Sequence, residues 1–325
     1  MYDVSHQAGA GARGPDDLIQ PFSIESSGVR GRMVRVGSVI DAILTRHDYP
    51  WRVGRLLGEM IGLGALLSAM LKYEGVFTLQ TTGDGPVSTV VVDFTSDGAV
   101  RAWASYDADA IAALDNGASA PLGENADVIR LLGNGQLAFT VDHAHAKERY
   151  QGIVELHGHT LAECLQHYFQ QSEQVASAVR LSAQPRTESD GEVRWRAGGL
   201  LLQRLPEEAG VADLAGIDEE DSWRNAVILM SSASNDELCD PALTPYELLY
   251  RLFNEEGVRV YTAQDLKDQC RCSREKVANL LASMPQGELA EMKRDDGTVD
   301  ATCQFCSRCY VFSRADLAAL RDAVS

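Results

Sequence analysis

Period-two alternation opens the patterned part of the chain. In VRGRMVRV (residues 29–36), Val29, Gly31, Met33 and Arg35 fall on one face and Arg30, Arg32, Val34 and Val36 on the other, which predicts a strand. Helical spacing follows over residues 39–46 and 51–72, interrupted at Asp48-Tyr49-Pro50 because proline cannot continue a helix. VFTLQT, STVVVDF and AVRAWASY, divided by the turn signals GDGP and SDG, predict an antiparallel meander. LAFTVDH and YQGIVELHG predict two further strands. In LAECLQHYFQQSEQV the period changes, and Leu161, Cys164, Leu165, Tyr168 and Phe169 share one side of a helix. Strands in hairpins with helices between them predict an α+β core with a mixed, mainly antiparallel sheet.

Composition divides the chain further. Residues 1–20, rich in Gly, Ala and Asp, predict a flexible tail, and residues 21–206 the core domain. Residues 207–257 predict a helical linker, with helices over 223–238 and 246–256, the second opened by Thr244-Pro245 and closed by Gly257. Residues 258–325 form a small C-terminal unit. Of the net charge of −18, the linker carries a disproportionate share, with 13 acidic against 2 basic residues. So much like charge opposes compaction, and the linker helices should depend on their neighbours.

The same charge distribution argues against nucleic acid as a partner, since residues 258–325 hold ten acidic and ten basic residues and no segment is basic. MYDVSHQAGAGARGPDD has neither the basic nor the apolar region of a signal peptide. The longest uncharged apolar run, residues 60–71, is too short to span a bilayer. The expectation is a cytoplasmic protein with no membrane partner.

Of seven cysteines, five lie in the last unit. Cys270-x-Cys272 and Cys303-x-x-Cys306 are two close pairs separated by residues 273–302, a donor set suited to one tetrahedral Zn²⁺. The intervening sequence is coherent with that. Ser273 predicts a cap for a helix with Val277, Leu280, Leu281 and Met284 on its apolar side, ended by Pro285, and Asp296-Gly297 predicts a turn that returns the chain to Cys303. A unit this small has little core, and structural zinc contributes roughly 10–16 kcal/mol to such modules.

The spacing alone admits both a purely structural zinc knuckle and a redox switch. C-x-C favours the switch, because a disulfide across it closes a small strained ring that suits an unfolded chain better than a packed one. Metal-bound thiolates are also oxidisable.

The remaining candidates are weaker. Cys164 reads as a core residue and Cys239 as a helix-end residue. Cys309 makes a second, overlapping C-x-x-C with Cys306 that could also complete the site. Cys303 with Cys306 is favoured because that pair precedes the expected strand at Tyr310, which leaves Cys309 outside a shell full at four. His143-x-His145 and His157-x-His159 lack thiol or carboxylate partners in the pattern, and Gly83-x-Gly85 and Gly133-x-Gly135 read as turns. No nucleophile elbow, HExxH or triad is present, so the chain reads as a non-enzyme.

CRCSREKVANLL and ATCQFCSRCYVF, with YQGIVEL, LAECLQHYFQQSEQ, GGLLLQRLP, RGRMVRV and HDYP, resemble the thirty-three-kilodalton heat-shock protein family of bacterial redox-regulated holdase chaperones. The tail and Cys309 depart from the pattern. The resemblance implies an α+β core, a helical linker and a zinc domain with Cys270, Cys272, Cys303 and Cys306 as ligands. It also implies disulfides Cys270–Cys272 and Cys303–Cys306 on oxidation, zinc release, linker unfolding, and ATP-independent binding of unfolded or misfolded client proteins under heat and oxidative stress. A homodimer is a candidate oxidised state. The competing classes are a zinc-ribbon nucleic-acid-binding protein, disfavoured by charge, and a thiol–disulfide oxidoreductase, which would need Cys303-x-x-Cys306 at a helix N-terminus.

Overall fold

The structure, a computed structural model, describes residues 16–116, 127–143, 149–204 and 219–322. They fall into two compact units, one up to Asp268 and one from Gln269.

In the first unit, β1 (Leu18–Ile24) and β2 (Val29–Val36) form a hairpin followed by α1 (Ser38–Thr45) and α2 (Trp51–Ser68). The Asp17 carboxylate accepts from the amides of Gly37, Ser38 and Val39 and so supplies α1 with the cap its own sequence lacks. Next come β3 (Gly75–Gly83), β4 (Val87–Thr95), β5 (Ala99–Tyr106), α3 (Ala108–Asn116), α4 (Val128–Leu132), β6 (Gly135–His143) and β7 (Arg149–Glu155). Then follow α5 (Leu161–Tyr168), β8 (Ser177–Thr187) and β9 (Val193–Arg204). The meander is as expected: β3 pairs antiparallel with β4 and β6, β4 with β5, and β6 with β7. With β10 (Val258–Val260) and β12 (Lys267–Asp268) from later in the chain, this sheet runs β12-β5-β4-β3-β6-β7, and the other runs β10-β1-β2-β9-β8. Among the described residues, only β12 joins its sheet in parallel. The expected α+β class with mainly antiparallel sheets is the observed one.

Helix α2 is almost wholly buried in the core that both sheets share. Its glycines permit this, since a Cβ on Gly58 would lie 2.6 Å from the Ala183 Cβ. No helix among the described residues is long and apolar enough to cross a membrane.

The acidic segment contains α6 (Glu219–Ser231), α7 (Asn235–Cys239) and α8 (Pro245–Phe253). The single helix expected over 223–238 is two, because Ser234 starts a new one with a capping box to Glu237. Thr244 and Pro245 open α8 as expected, and Gly257 sits in a turn at φ 74° beyond its end. Leu238, Leu248, Leu249, Leu252 and Phe253 pack on Phe22, Ile24, Val29, Met33, Leu200 and Leu202. The β1-β2-β9 sheet is therefore apolar on both faces, one towards α2 and the other beneath the acidic helices.

Two expected boundaries shift. Residues 1–15 of the tail lie outside the described residues, but Leu18, Ile19 and Gln20 are buried in β1, so the segment taken as tail enters the sheet. Residues 258–268, assigned to the zinc unit, belong to the first unit as β10 (Val258–Val260), β11 (Gln264–Asp265) and β12 (Lys267–Asp268). β10 and β11 pair with β1, and β12 with β5.

The second unit contains α9 (Arg274–Ser283), α10 (Gln286–Glu291), the hairpin β13 (Val299–Thr302) and β14 (Cys309–Phe312), and α11 (Arg314–Asp322). Among its described side chains, the buried apolar ones are Leu281, Leu289, Val299, Tyr310, Phe312 and Leu317. Six such residues make a small core for a folded unit.

Candidate metal centre

Local sequence positions both cysteine pairs. The Ser273 hydroxyl accepts from the Lys276 amide and starts α9 immediately after Cys272, as the sequence predicts. Val277 and Leu281 face the small core, whereas Leu280 is 62% exposed and does not belong to the expected apolar side. The Asp296-Gly297 turn forms as expected: Gly297 has φ 80°, Asp296 accepts from the Thr298 amide, and Lys293 bridges to Val299. The chain thereby enters β13 and reaches Cys303.

Cys303 and Cys306 lie in the turn between β13 and β14. The Cys303 amide donates to Arg308 O, the Ser307 amide to Cys303 O, and Ser307 takes a left-handed φ of 55°. A C-x-x-C of this kind lies ahead of a strand and not at the helix N-terminus that an oxidoreductase presents.

The four sulfurs of Cys270, Cys272, Cys303 and Cys306 lie within 4.8 Å of one another. The recorded close contacts run between the pairs, with Cys270 Sγ 3.7 Å from Cys303 Sγ and Cys272 Sγ 3.4 Å from Cys306 Sγ. Sulfurs around a tetrahedral Zn²⁺ at about 2.3 Å sit about 3.8 Å apart. The cluster thus has the separation, the number and the soft donor chemistry to hold a metal ion.

Each of three sulfurs has an identifiable donor. Cys270 Sγ receives the Cys272 amide and Cys306 Sγ the Arg308 amide. Cys272 Sγ accepts from the Tyr310 hydroxyl at 3.1 Å. Burial pushes the Cys270 thiol up and the Cys306 thiol up to about 12. Burial acts in the same direction on Cys272, but the Tyr310 hydroxyl and the neighbouring sulfurs outweigh it and bring that thiol down to about 7. The hydrogen bond to Cys272 also raises Tyr310, opposed by the Arg308 guanidinium.

Tyr310 escaped the sequence reading as a functional residue, although strand alternation contained the signal. In β14, Tyr310 and Phe312 are buried while Cys309 and Val311 are exposed, so Tyr310 points opposite to Cys309. Cys309 Sγ lies 3.8 Å from an Asp300 carboxylate oxygen and is no member of the four-sulfur group.

The other candidates stand apart from the centre. Cys164 and Cys239 are buried, and burial pushes each thiol up to about 11. His157 contacts Glu155 at 3.2 Å and packs edge-on against His167; His143 is exposed at the end of β6, and His145 lies outside the described residues. The glycine pairs form turns in close contact, as a Cβ on Gly83 would lie 2.0 Å from Leu132 O.

The family model described as Hsp33 protein matches residues 17–313. The 33 kDa chaperonin of Caulobacter vibrioides is 41% identical over 295 residues, covering 91% of this chain and 94% of that protein. The 33 kDa chaperonin of Escherichia coli is 34% identical over 309 residues, covering 95% and 96% respectively. The crystal structure of the 33 kDa chaperonin of Thermotoga maritima, a heat shock protein 33 homolog, superposes with a TM-score of 0.75 at 26% identity, covering 95% of this chain and 99% of that one.

Proposed function

The chain belongs to the Hsp33 family, and from that premise we propose that it is a cytoplasmic, redox-regulated, ATP-independent holdase that serves during heat and oxidative stress. The observation that carries the reading is the convergence of four thiols within 4.8 Å in a unit with six buried apolar side chains among those described.

In the reduced state Cys270, Cys272, Cys303 and Cys306 hold one Zn²⁺ as thiolates. The bound ion supplies cross-links that the small core cannot replace. A hydroperoxide is an oxidant suited to this chemistry. A thiolate attacks its terminal oxygen, the O–O bond breaks, and sulfenic acid forms as the hydroperoxide is reduced to water or an alcohol. The paired thiol then attacks the sulfenic sulfur, expels water and closes a disulfide. Two such rounds give Cys270–Cys272 and Cys303–Cys306, consume two equivalents of peroxide and leave no thiolate to bind metal. Residues 269–325 then lose their order, and the acidic linker helices, whose like charge opposes compaction, detach. Their loss uncovers Phe22, Ile24, Val29, Met33, Leu200 and Leu202, an apolar sheet face suited to unfolding clients.

The test is suppression of aggregation of a heat-unfolding client by reduced and peroxide-treated protein, with zinc release followed in parallel. Holdase activity should rise with the zinc released. Equal activity of the two forms, or oxidation that leaves the metal bound, would falsify the mechanism.

A further inference from the structure

The donors to the four-sulfur centre are unequal in kind. Cys270 and Cys306 receive backbone amides, fixed by the turns that make the site. Cys272 is the sulfur with a recorded side-chain hydroxyl donor, and that group is placed with care. Tyr310 is 9% exposed, paired through β14 to Ala301 of β13, and flanked by Phe312, whose ring lies 4.3 Å beneath the Arg274 guanidinium. Arg274 in turn donates to Val311 O at 2.7 Å and reaches Asp316 at 3.0 Å, which fixes β14 against the helices on either side. The Tyr310 ring therefore has little freedom, and its hydroxyl stays directed at the sulfur at 3.1 Å.

A hydrogen bond to a thiolate withdraws charge from the sulfur lone pair that must attack the peroxide oxygen. As the S–O bond forms, that charge passes to the departing oxygen and the hydrogen bond weakens, so its stabilisation is larger in the resting thiolate than at the transition state. We infer that Tyr310 is a positioning residue that shields Cys272 from peroxide and so sets the oxidant threshold of the thiol centre. The inference rests on the redox reading above, and it adds a specific residue that tunes the response. Removal of a hydrogen bond to a charged group, with about half its effect felt at the transition state, corresponds to a rate increase at Cys272 of about three- to tenfold.

The variant is Tyr310→Phe, which keeps the ring and removes the hydroxyl. Three readouts are taken on full-length reduced protein: zinc content, the thiolate-to-metal charge-transfer band of the Co²⁺-substituted form, and zinc release against hydrogen peroxide with mass-spectrometric trapping of each cysteine. The expected result is one zinc per chain as in wild type and a charge-transfer band moved to lower energy. Oxidation of Cys272 should accelerate about three- to tenfold relative to Cys270, Cys303 and Cys306. Arg308→Ala serves as a comparison that leaves the hydroxyl in place, and it should retain the protected Cys272. If wild type releases zinc on oxidation but Tyr310→Phe shows the same band and the same rate at Cys272, the inference fails while the redox reading stands. If wild type itself keeps its zinc under peroxide, both fail. Loss of zinc from reduced Tyr310→Phe would make the hydroxyl a structural requirement and overturn a threshold role.

Discussion

Arg35 on β2 donates to the backbone carbonyl of Leu243 at 2.7 Å, joining the sheet directly to the acidic segment 208 residues later in sequence. Its second terminal nitrogen reaches the Asp240 carbonyl, and Asp16 lies beside the guanidinium. The side chain is 2% exposed, so these carbonyls are its replacement for water. Nearby, Arg186 pairs with Asp236 at 2.6 Å and Gln184 bonds to the same carboxylate at 3.0 Å. Polar contacts thus fasten α7 and the turn after it, whereas apolar packing dominates beneath α6 and α8.

Arg35→Met should therefore loosen the acidic segment at full reduction. Two bonds from a charged donor are lost and two carbonyls are left without it, a cost of about 3 kcal/mol. Limited proteolysis should cut residues 219–257 faster than in wild type, with residues 16–204 still resistant. Unchanged cleavage there would show that the clasp contributes nothing to docking.

Gly198→Ala tests the same interface by a different physical route. A Cβ at this position would stand 2.1 Å from the Leu238 carbonyl oxygen, so α7 must lift. The expected destabilisation is about 1–3 kcal/mol, with partial holdase activity in the reduced protein. A reduced variant that remains inactive, with a wild-type proteolysis pattern, would separate docking of α7 from control of activity.

Replacement of any of Cys270, Cys272, Cys303 or Cys306 by Ser should sharply weaken binding of the one expected Zn²⁺. Zinc removal with a strong chelator should disorder residues 269–325 and leave the sheet core intact, as read by amide exchange. Full zinc in Cys270→Ser and Cys303→Ser would dismiss the site.

Cys309→Ala should retain its zinc, because the Cys309 thiol lies beside Asp300 and is not one of the four clustered sulfurs. Oxidised wild type should still contain some Cys306–Cys309 disulfide once the hairpin has unfolded, visible by peptide mapping and absent from the variant. Zinc loss in Cys309→Ala would make Cys309 a ligand.

Alkaline pH should expose the two buried thiols. Cys164 and Cys239 are raised by burial from about 9 to about 11, so each binds its proton more tightly when folded. Their contribution is complete below pH 9 and is lost as pH rises through 11. Urea midpoints should fall over that window, and by less in Cys164→Ala; an identical alkaline decline in the variant would remove this thiol from the account.

The cysteine centre was legible because two short spacings, a cap at Ser273 and the Asp296-Gly297 turn each have one strong local meaning. The meander was legible for the same reason. β1 was hidden by Pro21, which sits in the gap between the stretches of β1 paired with β10 and β11, where no ladder amide is needed. Strand β8 carries Pro185, tolerated because β8 is an edge, and β9 carries Gly198-Gly199, of which Gly198 lies directly against Leu238. The exposure of Leu280 and the division of α6 from α7 depend on neighbours distant in sequence. Charge correctly marked residues 207–257 as distinctive but could not show what they cover.

Arg204 ends β9 and Val258 begins β10, two strands of one sheet on either side of β1 and β2. The acidic segment is consequently a loop anchored at both ends beside the face it covers. If it detaches as proposed, it remains at a local concentration on the order of millimolar over that face. Its return is a first-order event, independent of how dilute the protein is, and the closed ends limit the chain entropy gained on release. On the proposed mechanism a client would have to outcompete a tethered rival, which favours long unfolded chains that contact the surface at several points over short peptides that touch it once.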